Sequence, residues 1–481
     1  MKNLKQLMLV IISLISFSLH VSADVYTGEF GTKYEYRIIN GNEVEITKAY
    51  DLLRVAWLPD SISGLPVTSI GNSVFANSQL EIVTLPLGLK SIGDFAFAHT
   101  SLESVKLPDS LVSIGESAFE SSRLTSIEFP QSLESIGASA FKNTALTAVE
   151  WPDKLTEIPA NCFEKCRYLT SVKIPATVIS IGAYAFYDEL FGNGGPLTSI
   201  DLSSSLISIG EYAFTGQSFT SVDFPASLVS IGEYAFAHVP LTSVELPPQL
   251  TEIPEGCFSR CYHLTSAKIP ESVKTIGDFA FEACRSLVSV NFPEALTLIG
   301  ENAFDETSLT SVSFGKNLVT IGHAAFRVGN LQSVEIPNSV IYIGAGAFYA
   351  HPLKSVIIGS SVKGMGEYAF GECYKLTSVT VLAEDPPLIH RNTFSDRTYL
   401  TGTLTVLEDS ESAYKADDIW KLFTNVDVTT GIEDIPVDMG SDEGRTPIGS
   451  FGLDGRPVYD SYHGIVITRY SDGTVSKHFC F

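Results

Sequence analysis

The chain has 481 residues and carries 31 basic against 55 acidic side chains, a net charge of −24. That balance excludes nucleic acid, whose phosphates bind by exchanging counterions for Lys and Arg, and it disfavours an anionic membrane surface. Seven cysteines in this length exclude a disulfide-dense scaffold.

At the start, Lys2 and Lys5 precede the apolar stretch Leu7–Leu19, and the small-residue cleavage site Val21-Ser22-Ala23 follows. Residues 1–23 therefore read as a secretory signal peptide, with a core too short to span a bilayer. No later run of ~18 apolar residues follows, so no transmembrane segment is expected. The chain is expected to be secreted or attached to the cell surface. Residues 24–64 read as an N-terminal β cap, in which Tyr34–Ile39 and Val44–Thr47 flank the hairpin turn Asn40-Gly41.

A repeat then runs over residues 65–400. One Phe marks it fifteen times, from Phe75, Phe97 and Phe119 to Phe348, Phe370 and Phe394; nine of the spacings are 22 residues, three are 23, and the outliers are 28 and 24. A clean unit runs from Leu124 to Ala145. Ile127 and Phe129 alternate onto one face of a short strand, and Pro130, which has no N–H for a ladder, ends it. Leu133 and Ile136 carry the chain back, Gly137 is expected to permit a sharp corner, and Ala140-Phe141 closes the coil inward. The residue before the Phe is Ala in most turns and Cys at Cys162 and Cys257. One coil cannot bury its own apolar residues, so the turns must stack into a continuous core, with the strands expected to form one long parallel sheet.

In these residues the chain resembles the BspA-type, or Treponema pallidum-type, leucine-rich repeat. The resemblance implies a right-handed leucine-rich-repeat solenoid of about fifteen turns. Its parallel β-sheet lies on one face, with short second strands, tight helical turns and a cap at each end. Leu133 stands about where the common leucine-rich repeat has its Asn ladder, so the common horseshoe is not transferred.

Residues 401–429 read as a C-terminal cap, with Tyr414, Trp420 and Phe423 forming an apolar lid. Residues 430–447 read as a linker. Residues 448–481 read as a small β module; it resembles the C-terminal sorting or surface-attachment modules of exported Bacteroidetes proteins, and a small extra cap is the other reading.

No sequence motif for a nucleophile, a zinc protease, a phosphate loop or a calcium loop appears. No catalytic residue, metal or cofactor is expected. Cys166, Cys261, Cys284 and Cys373 share the third place after the Phe and read as structural packing. Cys261 and Cys284 fall on adjacent rungs, where stacked backbones come close enough for a disulfide. We read His99, His238 and His351 as surface positions of the repeat.

The exposed strand positions are the binding candidates. A column of Ser, from Ser104 to Ser378, runs beside a variable column that includes Glu128, Glu150, Asp201, Asp223 and Glu245. Stacked like charges cost stability unless they are paired, which points to a basic partner or a cation; a merely solvated face is the plainer reading. An insert after Phe186 carries Leu190 and Phe191 at its tip, a candidate contact knuckle. The resemblance implies an adhesion-type protein that binds an extracellular protein or glycan ligand, host-derived in some relatives, and acts as a monomer. The alternative is a structural surface spacer without a fixed ligand.

Overall fold

The backbone hydrogen bonds of this chain run mainly from one turn to the next. The computed structural model describes residues 24–28, 31–188, 195–430, 447–452, 464–470 and 475–480. The chain is a parallel-strand β-solenoid of about 17 turns with few helices. It divides into two compact units, residues 1–177 and 178–481. The signal-peptide segment, the tip of the insert with Leu190 and Phe191, and residues 431–446 of the expected linker lie outside the described residues.

In the first unit, β1 (Asp24–Thr27), β2 (Lys33–Ile39) and β3 (Glu43–Tyr50) form an antiparallel meander. Asn40 and Gly41 both take positive φ, 53° and 78°, the twist that a two-residue hairpin requires. Strand β3 then pairs in parallel with Leu65–Ile70. The meander thereby joins the ladder of second strands, whose register runs Ile70, Ile92, Ile114, Ile136. The second unit has ladders of the same kind, through Ile181, Ile209 and Ile231 and from Ile253 to Met365.

The face expected to carry one long sheet does not. It is broken into short sheets: Val55–Trp57 with Ile82–Thr84, and Ala148–Glu150 with Ser171–Lys173, in the first unit. The second unit has Ser243–Glu245, Ser266–Lys268 and Ser289–Asn291 as one sheet, and a longer one from Ser333–Ile336 to Asn425–Thr429. The physical reason is length. Each rung is only a few residues long before a Pro or a turn, so a small shift leaves it a single cross-rung bond. Thr125 N to Glu103 O and Thr147 N to Thr125 O, both 3.2 Å, are such single bonds. Thr403–Leu407 and Asn425–Thr429 extend the last sheet past the Phe-marked turns, which accounts for the larger number of turns.

A third ladder lies at the corner around the recurring Phe. Phe97 N donates to Ala118 O and Phe236 N to Cys257 O, and amides two residues on either side do likewise, as Phe95 N does to Glu116 O and His99 N to Glu120 O. Those flanking residues are left-handed without being glycine, for example Phe95, Ser117, Ser139, Tyr212 and Tyr234 at φ between 50° and 58°. An L-residue pays roughly 1–2 kcal/mol for that conformation, and the inter-turn bonds and buried Phe offset it. Gly137 therefore has a different role from the one expected: its φ is not positive, and a Cβ there would overlap Glu116 N and Gly115 C of the preceding turn. Glycine is required at that point for close approach.

The core follows. In the first unit the rings from Phe75 to Phe163 stack at 5.1–5.9 Å with planes within 13°. In the second, Phe186 to Phe394 stack at 5.2–5.8 Å with planes within 20°. At the C-terminal end α1 (Asp396–Thr401) is followed by α2 (Glu411–Ala416), which carries buried Tyr414, and buried Trp420 and Phe423 come after it. Trp420 Nε1 donates to Pro387 O at 2.8 Å, Tyr414 OH donates to Ala383 O at 2.9 Å, and the Trp420 and Phe423 rings pack on Phe394. Pro447–Gly452, Gly464–Tyr470 and Val475–Cys480 form a separate three-stranded antiparallel sheet.

Candidate binding surface

On the strand face the core residues of each rung alternate with outward ones. In the rung Ser243–Glu245, Val244 is buried between exposed Ser243 and Glu245. Register aligns Ser243 with Ser266 and Ser289, and Glu245 with Lys268 and Asn291. Behind the Ser, a Thr column ties the turns together by side chain as well as main chain: Thr265 Oγ1 donates to Thr242 O at 2.9 Å and Thr242 Oγ1 to Thr220 O at 3.3 Å. The recurring Leu-Thr-Ser was the signal for that column, and the motif reading passed over it. Leu133 likewise has a polar neighbour that replaces an Asn ladder: Ser132 Oγ donates to Leu111 O, and Ser272 Oγ to Leu250 O, at 2.5 and 2.6 Å.

The candidate acids fall in two sets. In the first unit Glu128 and Glu150 are exposed, and Glu150 pairs with Lys173 on the next rung. In the second unit Glu245 meets Lys268 at 2.5 Å, with both side chains about 70% exposed (72% and 70%). Asp201 and Asp223 are exposed. Part of the charge stacking expected along this column is thus relieved by lysines of the same column. Ion pairs so exposed contribute little stability.

The cysteines have a structural explanation. Neither Cys261 nor Cys284 is bridged. The reason is direction: Cys261 Sγ donates to Phe236 O at 3.2 Å and Cys284 Sγ to Phe258 O at 3.1 Å, so each thiol points at the carbonyl of the Phe one turn back. Cys166 and Cys373 do the same to Phe141 and Phe348. Burial pushes the Cys261 and Cys373 thiols up to about 12 and raises Cys162, Cys257 and Cys284 well above the ordinary value, which leaves them protonated and poor nucleophiles. Among the described residues no group of three or more His, Cys, Asp or Glu is arranged to hold a metal ion.

His351 is not a surface residue. It stands three places after Phe348, in the Cys column, and is 4% exposed. Its Nε2 bonds Phe326 O, and its Nδ1 accepts from Leu331 N at 3.1 Å. Gln217 makes the same two contacts, with Nε2 on Phe186 O and Oε1 accepting from Leu197 N at 3.0 Å. Desolvation lowers the His351 pKa below 6.5. His99 and His238, by contrast, occupy left-handed corner positions at φ 56° and 62°.

The BspA type leucine-rich repeat region matches residues 68–191, 187–307, 257–377 and 297–406. The chain belongs to the BspA-type leucine-rich repeat family. Among solved structures, a leucine-rich repeat protein from Bacteroides ovatus is 21% identical; the match covers 82% of this chain and 98% of that one, with a TM-score of 0.53. A leucine-rich cell surface protein from Faecalibacterium prausnitzii is 22% identical over 75% of this chain and 95% of that one, with a TM-score of 0.43. These likenesses concern the fold alone. No curated protein matches the chain. Among the described residues no helix is long and apolar enough to cross a membrane.

Proposed function

We propose that this BspA-type solenoid is an exported protein, secreted or held at the cell surface, that binds a protein or glycan ligand through its strand face. The reading rests on one observation above all: a stack of exposed small Ser side chains beside a column whose charge and size vary from rung to rung. Small residues admit a partner close to the backbone, and the varied column, with Asp201, Asp223, Glu245 and Lys268, reads it. The loosely held pairs Glu150–Lys173 and Glu245–Lys268 are exchangeable for a partner's charges. The leader at residues 1–23 supplies the route out of the cell, and residues 448–481 are proposed to serve sorting or attachment. No catalytic role is assigned.

The self-pairing of those charges also supports a second reading, a surface spacer whose face is merely solvated. One experiment separates the two. The chain lacking residues 1–23 is incubated with an array of extracellular-matrix proteins, mucins and glycans at low and physiological salt. Adhesion predicts saturable binding that weakens with salt and with the combined substitution Asp201→Ser, Asp223→Ser and Glu245→Ser. Absence of binding across the array supports the spacer.

A further inference from the structure

The corner carries a second surface unrelated to the strand face. Two residues before the recurring Phe, successive turns of the second unit place Tyr184, Tyr212, Tyr234, Gly256 and Phe279. The three tyrosines stack with centroids 4.9 and 5.0 Å apart. At Gly256, φ +58°, the column loses its ring, and Tyr234 overhangs the bare backbone so closely that a Cβ would overlap its ring atoms. The Tyr234 ring thus lies between Tyr212 on one face and the Gly256 backbone on the other. The column resumes at Phe279, also left-handed at φ 58°.

Beside the interruption lies a groove of about 430 Å³, lined by the aromatic rings of Tyr212, Tyr234 and Phe279 and by the polar side chains of Ser259, Arg260 and Glu282. Such a volume lies within the roughly 300–1,000 Å³ of small-molecule sites. Its polar groups are positioned in advance. Ser259 Oγ donates to Glu282 Oε2 at 2.8 Å, Arg260 Nε lies 3.7 Å from the same oxygen, and Tyr234 OH donates to Glu255 Oε1 at 2.8 Å. A carboxylate has about four acceptor sites, so Glu282, which lines the groove, keeps acceptor capacity for a ligand that donates.

We propose that this groove is a carbohydrate-binding subsite. A pyranose has an apolar C–H face, which suits the aromatic lining that Tyr212, Tyr234 and Phe279 give the groove. It also has neighbouring hydroxyls, each both donor and acceptor, which suit a fixed carboxylate, a guanidinium and a serine side by side. A phosphate or other anion fits poorly, because Arg260 already lies against Glu282 and the surroundings are acidic. Gly256 shapes the site indirectly: with no side chain, it lets the Tyr234 ring lean over its backbone and take its place in the groove wall.

The inference stands apart from the strand-face proposal and is tested separately. The full chain is titrated with N-acetylglucosamine, its trimer, N-acetyllactosamine, sialyllactose and maltotriose, read by saturation-transfer NMR and calorimetry. Saturable binding of at least one probe is expected. Tyr234→Ala and Arg260→Ala should each weaken it by about tenfold or more, equivalent to about 1.4 kcal/mol. Gly256→Asn, which tolerates positive φ but whose Cβ would push the Tyr234 ring out of the groove wall, should do the same. Tyr368→Ala, in the same column but outside the groove, should leave it unchanged, and circular dichroism checks that each variant is folded. The proposal is overturned if no probe binds saturably or if binding survives all three groove variants. It is also overturned if binding is instead lost in the Asp201, Asp223, Glu245 triple variant, which would move the sugar to the strand face.

Discussion

The two sides of a single turn spend their residues differently. The corner is held by stacked Phe rings, an amide ladder at every second residue and a buried side-chain donor on many of the Phe carbonyls; the strand face is a few residues wide, its ladder is broken, and part of its charge pairs in the open. The difference shows that in this array cohesion and surface variation are separable: the corner and second strands carry the stack, and the strand face is left free to vary. Left-handed non-glycine residues are tolerated because the corner bonds they permit are repeated at every turn.

The comparison is broken most severely by removing a ring. Phe236→Ala should cost about 3–5 kcal/mol, the range for emptying a packed aromatic site, seen as a lower urea midpoint. An equally large loss from Ser221→Ala on the strand face would contradict the division of roles. A smaller effect is expected at Asp305, which is 3% exposed and meets Arg327 at 2.5 Å. Arg327→Met leaves that carboxylate buried without its cation and should cost about 1–3 kcal/mol, measured by the same titration.

The third prediction concerns pH. His351 is neutral in the folded chain, with its pKa held below 6.5 by burial, whereas the unfolded chain binds a proton near the ordinary value. The unfolded state therefore takes up more protons as pH falls below about 6.5. Stability is fully present above that pH and declines as pH drops toward the lowered folded value. His351→Gln, which copies the Gln217 arrangement, should fold normally at pH 7 and flatten this part of the stability–pH curve. An unchanged slope in the variant would place the titration elsewhere. The smallest effect is expected for Glu245→Gln, which should leave Tm unchanged because the pair with Lys268 is solvent-screened.

Much of this was legible in the residues, because a repeated side chain reports its environment many times over. The Phe and Ala columns and the Asn40-Gly41 hairpin follow from spacing and elementary backbone preferences, and the second strands were implied by the family resemblance. The gaps in the strand-face ladder were not legible, since rungs with near-identical sequences differ only by small shifts in register. The reason for Gly137 was misjudged because sequence does not separate a positive φ from a close approach. His351 was read as surface because its place one residue beyond that of His238 matters only once the carbonyl of Phe326 is seen beside it. The Gly256 groove depends on a missing ring, and absence in one turn becomes informative only when its neighbours are in place.

Amide hydrogen exchange on the intact chain tests the central division most directly. The corner amides, such as Phe236 N and Phe258 N, and the second-strand amides should be the slowest to exchange, with the strand-face segment 219–224 markedly faster. Equal or greater protection of the strand face would show that it holds the stack together, and would contradict the account.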